Sequence, residues 1–305
     1  MTERPAAAPR GRLLLAFAAI YLVWGSTYLA IRFAIETIPP FVVAGSRHVV
    51  AGALLYAWAR GRGATAPTWT QWLTATGLGG LMLLGGNGAV TWSEQRVPSG
   101  LAAVIVATVP LWIVLLEGKR PSRRVALGIV LGLAGIGLLV GPGEIAGAGR
   151  IDPLGALVLV GGSLSWAIGS LRGRTAGLPA SAQVSTAAQM LTGGGLLLVL
   201  GLAAGELPRL LASDVSPRSL SAVAYLVVFG SLIGFSAYVW LMRVAAPARV
   251  ATYAYVNPVV AVALGAAFGG EPLTLRTLLA SAVIVLAVIA IVGTPRSANA
   301  AHPGE

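Results

Sequence analysis

The residues that could handle a ligand are few. Most are aromatic or neutral polar groups set inside long apolar runs. Trp24, Tyr28, Asn87, Trp166, Tyr253 and Asn257 all lie in such runs. Trp and Tyr can form flat walls around a planar or apolar group, although both also favour the lipid–water interface. Trp24 sits about a dozen residues into its run, which at ~1.5 Å per residue places it near a membrane midplane. Asn257 precedes Pro258, and proline within a helix removes a donor and frees a carbonyl. An Asn there can stitch helices together or bind a ligand's ammonium or carboxylate. Tyr253 and Tyr255 are two apart, so at most one of them faces a shared cavity. Pro110 and Pro258 read as kinks or hinges.

One charge is costly where it stands. Arg47 lies about seven residues past Pro40, ~10 Å along a helix. Arginine at the centre of a span costs about 2.5–3.5 kcal/mol. It must snorkel, face water, or pair with Glu36, Glu94 or a substrate carboxylate. His48 follows, about 100° around the helix. It is read as a neutral buried imidazole, with proton carriage as the alternative. No Asp or Glu falls deep in an apolar run, and Glu94 and Glu117 stand at run ends. That pattern favours neutral or zwitterionic ligands over cations that exchange with protons at an intramembrane carboxylate.

Other chemistry is excluded by composition. There is no cysteine, so thiolate metal sites, disulfides and cysteine nucleophiles are ruled out. The two histidines are His48 and His302, too few for a metal cage or a triad. No metal or other cofactor is expected. The formal charge is +11, but the cations occur singly or in short runs between apolar stretches. Nucleic acid is therefore not an expected partner.

These groups need a scaffold, and composition says which kind. The 305 residues are 56% hydrophobic and 10% charged, against about a quarter charged in soluble domains. A bilayer is crossed by about 20 mostly apolar residues. Such stretches fall at 13–35, 41–60, 70–93, 98–117, 124–141, 153–172, 181–204, 219–242, 247–269 and 273–293. The breaks carry Pro39-Pro40, Arg60–Gly63, Glu94–Arg96, Lys119–Pro121, Gly141–Glu144 and Pro179. The longest break, 205–218, could lay Leu207, Leu210 and Leu211 flat in the interface. The first stretch follows Arg4, Arg10 and Arg12, as in a signal peptide. It lacks a small-residue cleavage site and stays apolar past Trp24, and is read as a span. With ten helices and a cytoplasmic N-terminus, 14 Lys and Arg fall inside, six outside and Arg47 within a span. That asymmetry is the one expected of cytoplasmic loops, with both termini inside.

The two halves echo one another. Trp24 with Trp166 and Arg32 with Arg174 recur at one common spacing, and Val109-Pro110 is similar to Asn257-Pro258. Val97-Pro98-Ser99-Gly100 is similar to Ala246-Pro247-Ala248-Arg249. Chance similarity among Gly- and Ala-rich segments is the competing reading. A five-plus-five arrangement inverts the second half, because five is odd. A central cavity that can open to either side follows from that symmetry. Gly128-x-x-x-Gly132 and Gly265-x-x-x-Gly269 allow close helix contact, in a monomer or a weak homodimer.

Four phrases resemble one family. They are Tyr21–Tyr28 (YLVWGSTY), Gly86-Asn87-Gly88, Pro98-Ser99-Gly100 with Ala107–Pro110, and Thr252–Pro258 (TYAYVNP). Together they resemble the EamA branch of the drug/metabolite transporter superfamily, over about Leu13 to Val292. Within it they are most similar to bacterial exporters, some associated with aromatic amino acids. The resemblance implies an all-α polytopic fold of ten transmembrane helices, two inverted five-helix repeats around a central cavity. Helices one to four and six to nine would surround the cavity. It also implies a bacterial inner membrane location. The short link from Pro110 to Lys119, against Pro258 to Glu271, suggests that the fourth helix ends early.

The expected organisation is a cytoplasmic tail (1–12), a first repeat (13–141), a linker (142–152), a second repeat (153–293) and a cytoplasmic tail (294–305). The expected function is alternating-access export of small amphiphilic metabolites, with aromatic amino acids foremost. The expected partners are a small-molecule substrate and the lipid bilayer. Export of toxic amphiphiles or drugs is the alternative. An intramembrane lipid-modifying enzyme is disfavoured, because no cluster of acids or metal ligands lies near one interface.

Overall fold

The structure is a computed structural model that describes residues 9–97, 102, 105–118, 120–147, 152–268 and 275–292. Pro98-Ser99-Gly100, Lys119, Arg150, Gly269, Glu271 and most of both tails lie outside the described residues. Among the described residues every regular element is helical. Five helices are long and apolar enough to cross a membrane: α1 (Arg10–Ala34), α2 (Pro40–Gly61), α6 (Pro153–Arg172), α7 (Ala182–Ala203) and α9 (Pro217–Val244). Helix α3 runs through Trp69–Gly79, Gly80–Gly88 and Ala89–Ser93. The remainder are α4 (Val109–Leu116), α5 (Arg123–Gly147), α8 (Glu206–Ala212), α10 (Pro247–Val250), α11 (Tyr253–Phe268) and α12 (Leu275–Val292).

Local sequence sets these limits. Pro40, Pro153, Pro217 and Pro247 open their helices, where the missing N–H costs nothing. Asp152, Ser181 and Ser216 accept from Gly155, Val184 and Ser219 N–H respectively, satisfying first-turn donors. Pro110 also lies in a helix's first turn, just after the break at Ala107–Thr108. It restarts a helix there rather than bending a continuous one. Pro258 does lie within its helix. Helix α5 continues to Gly147, past the end expected at 141 and into the segment read as a linker. Helix α4 ends at Leu116.

The distribution of side chains is the reverse of a water-soluble bundle. Leu15, Leu157 and Val199 are 74%, 67% and 63% exposed, while Ser185, Thr252, Asn257 and Gln189 are buried. Large apolar groups outward and polar groups inward suit a chain dissolved in lipid. Helix α2 packs along α7, and α5 along α12. The first pair touches at backbone level: a Cβ on Gly194 would stand 2.9 Å from Val49 N and 3.0 Å from Gly45 O. Gly128 and Gly132 receive Ile291 of α12 and the Tyr255 ring of α11, so that glycine pair serves packing within the bundle.

Helix α8 occupies the long break. Leu207 and Leu211 face outward, and Leu210 packs inward. Its first residue does something the sequence reading missed. Glu206 is buried and accepts from Phe41 N–H (3.2 Å) and Val42 N–H (2.9 Å). It thereby caps α2 from across the fold, with its charge at the positive end of that helix.

Candidate functional site

A cavity lies between the helices. Trp24 and Tyr28 of α1, Arg47 and His48 of α2, and Asn87 of α3 line one part of its wall. Trp166 of α6, and Tyr253 and Asn257 of α11, line another. The cavity thus gathers the eight aromatic, amide and charged candidates read from the sequence. Pro110 and Pro258 are not among the lining residues; Val109, beside Pro110, is.

Three stretches of π-helix shape this wall: Ala19–Val23, Gly80–Gly88 and Leu226–Phe235. A π-turn widens the helix and shifts its register, which re-aims the side chains around it and often marks a functional site. Trp24 directly follows the first stretch. Asn87 lies in the second, and Gly230 and Phe235 in the third. Periodicity in the sequence gives no hint of such widening.

One end of the cavity is an aromatic layer. The Trp24 and Trp166 rings meet edge to face, with centroids 5.7 Å apart. Tyr238 is 5.2 Å from each, and Tyr253 is 4.8 Å from Trp24. Each indole N–H is engaged: Trp24 Nε1 donates to Gly230 O (3.1 Å) and Trp166 Nε1 to the Tyr238 hydroxyl (3.0 Å). The Tyr238 and Ser170 hydroxyls are 2.6 Å apart. Each indole also rests on a glycine of the other half. A Cβ on Gly86 would stand 2.7 Å from Trp166 Cε3, and one on Gly234 would stand 2.8 Å from Trp24 Cδ1. Tyr238, which sequence reasoning missed, is not in this lining but lines a separate, smaller cavity with Arg174 and Arg243.

The lining is also polar. Buried Arg47 donates from Nη2 to Asn87 Oδ1 at 2.6 Å, and its Nε has no protein acceptor. Glu36, one of the partners expected for Arg47, instead meets Arg218 at 3.5 Å. Asn87 was read as a substrate or helix contact, not as the partner of this arginine. His48 donates Nδ1–H to Ala44 O at 2.7 Å. Asn257, with its amide nitrogen turned inward, donates to Tyr253 O (3.0 Å) and Tyr21 O (3.3 Å). It therefore joins α11 to α1. Tyr253 faces the cavity, whereas Tyr255 packs on Gly132. Thr27, Ser163 and Phe235 also line the cavity and are not singled out by the sequence. Among the described residues no group of acids and histidines could hold a metal.

A helical membrane protein with an amphiphilic cavity between its helices is the class that this fold and site define. The EamA-like transporter family matches residues 11–141 and again 153–293. The chain belongs to that family, and it is a transporter rather than an enzyme. It is similar to the uncharacterized inner membrane transporter YedA of Escherichia coli K12, 43% identical over 277 residues, covering 90% of this chain and 88% of that one. It is also similar to the uncharacterized transporter YvbV of Bacillus subtilis 168, 26% identical over 302 residues, covering 96% and 95%. A solved crystal structure shares the fold, with a TM-score of 0.73 at 24% identity, covering 93% of this chain and 96% of that one.

Proposed function

We propose that the chain exports small amphiphilic metabolites, aromatic amino acids foremost, by alternating access. One observation carries the reading: the same cavity is lined by an aromatic layer and by an arginine–amide pair. A planar side chain suits the first, and a carboxylate suits the second. In this reading Trp24, Tyr28, Trp166 and Tyr253 form the aromatic walls, Asn87 and Asn257 supply polar contacts, and Arg47 takes the carboxylate. His48 supports Arg47, Pro110 marks a break between helical segments that can act as a hinge, and Pro258 marks a bend within α11.

Ten helices in two inverted repeats, with both termini cytoplasmic, would provide the two access states. Supporting this, the family matches the chain twice, at 11–141 and 153–293. The pairings of α2 with α7 and α5 with α12 join counterpart helices of the two halves. The two indole–glycine seats are exchanged between halves in the same way.

Uptake into proteoliposomes tests the function. Labelled tryptophan and phenylalanine should be carried faster than alanine, and a cationic dye should not be carried. Transport of the dye alone would replace the amino-acid reading with drug export. Cysteine labelling from each side, in a chain that has no cysteine of its own, tests the topology.

A further inference from the structure

Two buried acids in this fold are treated very differently. Glu206 has a backbone N–H on each oxygen. Glu94, directly after the Ala89–Ser93 turn of α3, has both carboxyl oxygens shielded from solvent and, among the described residues, no hydrogen-bond donor on either. A carboxylate in that position is poorly stabilised unless a charge or a proton compensates it.

The charges around Glu94 can be named. From α2, Arg47 interacts with it electrostatically. From α1, exposed Arg32 and the Tyr28 hydroxyl also interact with it electrostatically. Beyond Arg47 on α2, His48 has its Nδ1–H committed to Ala44 O. Near it in sequence, Arg96 is engaged with Asp152 at 3.2 Å and with the Trp92 ring. Solvent screens Arg32, so Arg47 is the principal counter-charge. Arg47 is itself under-partnered, with one neutral acceptor and a free Nε, and it lines the cavity.

We propose that Glu94 is a proton site linked to carboxylate binding at Arg47. A substrate carboxylate and the ionised Glu94 compete for one guanidinium, so each carboxylate bound brings one proton onto Glu94. The inference rests on Arg47 as the carboxylate anchor of the proposed function, and it adds a proton to the bound state. Two anions beside a single cation in a low-dielectric site repel, and protonating the enclosed one relieves this. The only bond formed is the O–H of Glu94, with the proton drawn from water. The ligand class is a carboxylate-bearing zwitterion or anion; an amine without a carboxylate would not produce the effect.

Calorimetry on the detergent-solubilised full chain, with L-tryptophan and tryptamine as probes, tests this. The tryptophan Kd should rise with pH, approaching tenfold per unit where Glu94 titrates. Buffers of different ionisation heat should report up to one proton taken up per ligand. Glu94→Gln should bind tryptophan with the low-pH affinity at every pH and take up no proton. Glu36→Gln, at an acid that meets Arg218 and does not line the cavity, should keep the wild-type slope. A slope that persists in Glu94→Gln overturns the inference while leaving the amino-acid reading intact.

A second measurement needs no ligand. The infrared band of a protonated carboxyl should be present at mildly acidic pH, be absent from Glu94→Gln, and persist to higher pH in Arg47→Gln. If no such band depends on Glu94, the inference fails whatever the substrate is. If tryptophan does not bind while the band behaves as described, the proton site stands and the amino-acid reading is what fails.

Discussion

Trp24 and Trp166 meet edge to face at 5.7 Å, with their planes at 79°, and each is held against a glycine contributed by the opposite half of the chain. Edge-to-face pairing of this kind contributes about 0.5–1.5 kcal/mol beyond area burial. The contact is thus both a structural joint and the aromatic end of the cavity.

Adding a methyl group at either seat should push its indole out of place. Gly86→Ala and Gly234→Ala are each expected to cost about 1–3 kcal/mol, the usual penalty of overpacking. Gly161, which has nothing within 4 Å of an added Cβ, is the control. Thermal melting in detergent should show lower Tm for the first two and no change for Gly161→Ala. Equal Tm values across all three would remove the glycine seats from the account.

Tyr238 is the hub beneath both tryptophans. Tyr238→Phe keeps the ring but leaves Trp166 Nε1 and Ser170 without their hydroxyl partner. The expected cost is about 1–3 kcal/mol, the penalty of an unsatisfied buried donor. Tryptophan fluorescence should shift as the Trp166 environment changes. An unchanged spectrum together with unchanged stability would contradict the hydrogen-bonded layer.

Asn87 offers two opposed changes. Asn87→Leu deprives Arg47 of its acceptor and should destabilise by about 1–3 kcal/mol. Asn87→Asp supplies a carboxylate instead, so the fold should survive. Substrate affinity should then fall about tenfold or more, because the guanidinium is already occupied. Unaltered tryptophan affinity in Asn87→Asp would show that Arg47 does not hold the ligand carboxylate.

Glu206 caps a helix that is distant in sequence. Glu206→Ala removes acceptors from Phe41 and Val42 N–H and should cost about 1–2 kcal/mol. Glu206→Gln, which retains one acceptor oxygen, should recover part of it. Chemical or thermal unfolding of the three proteins ranks them directly.

Asp152 links helix capping to pH. Its carboxyl is held below the ordinary value of 3.8, first by the Gly155 N–H and then by Arg96. Because the native value is depressed, the stabilisation is full above 3.8 and is lost as pH falls through the lower native value. Asp152→Ala should therefore lower stability at neutral pH, and the difference from wild type should shrink in strong acid. A difference that stays constant with pH would disprove the linkage.

Residue type and spacing were enough to find much of the cavity wall. An arginine, a histidine and amides in apolar runs are costly unless they face something polar, and Trp24 lay too deep for an interfacial role. Tyr238 and Phe235 were hidden because their run, 219–242, is almost uniformly apolar and its π-helical turn leaves no trace in composition. For Arg47 the sequence leaves snorkelling, water and pairing open, and spacing cannot distinguish Asn87 from Glu36 as a partner, since that choice depends on how α2 and α3 meet. Glu94 was read as the end of a run, and the enclosure of its carboxyl follows from tertiary packing alone. The end expected for α5 at 141 rested on Gly141-Pro142-Gly143, whereas the helix continues beyond it.

The backbone contact of α2 with α7 at Gly45 and Gly194 also limits how the molecule can move. Two helices touching without intervening side chains have no slack in which to slide, so rearrangement around the chamber must swing about that seam as about a fulcrum. Spin labels on α2 and α7 should keep a constant separation through the transport cycle, while labels on α1 and α6 should not. Motion confined to the first pair would mean that the pivot lies elsewhere.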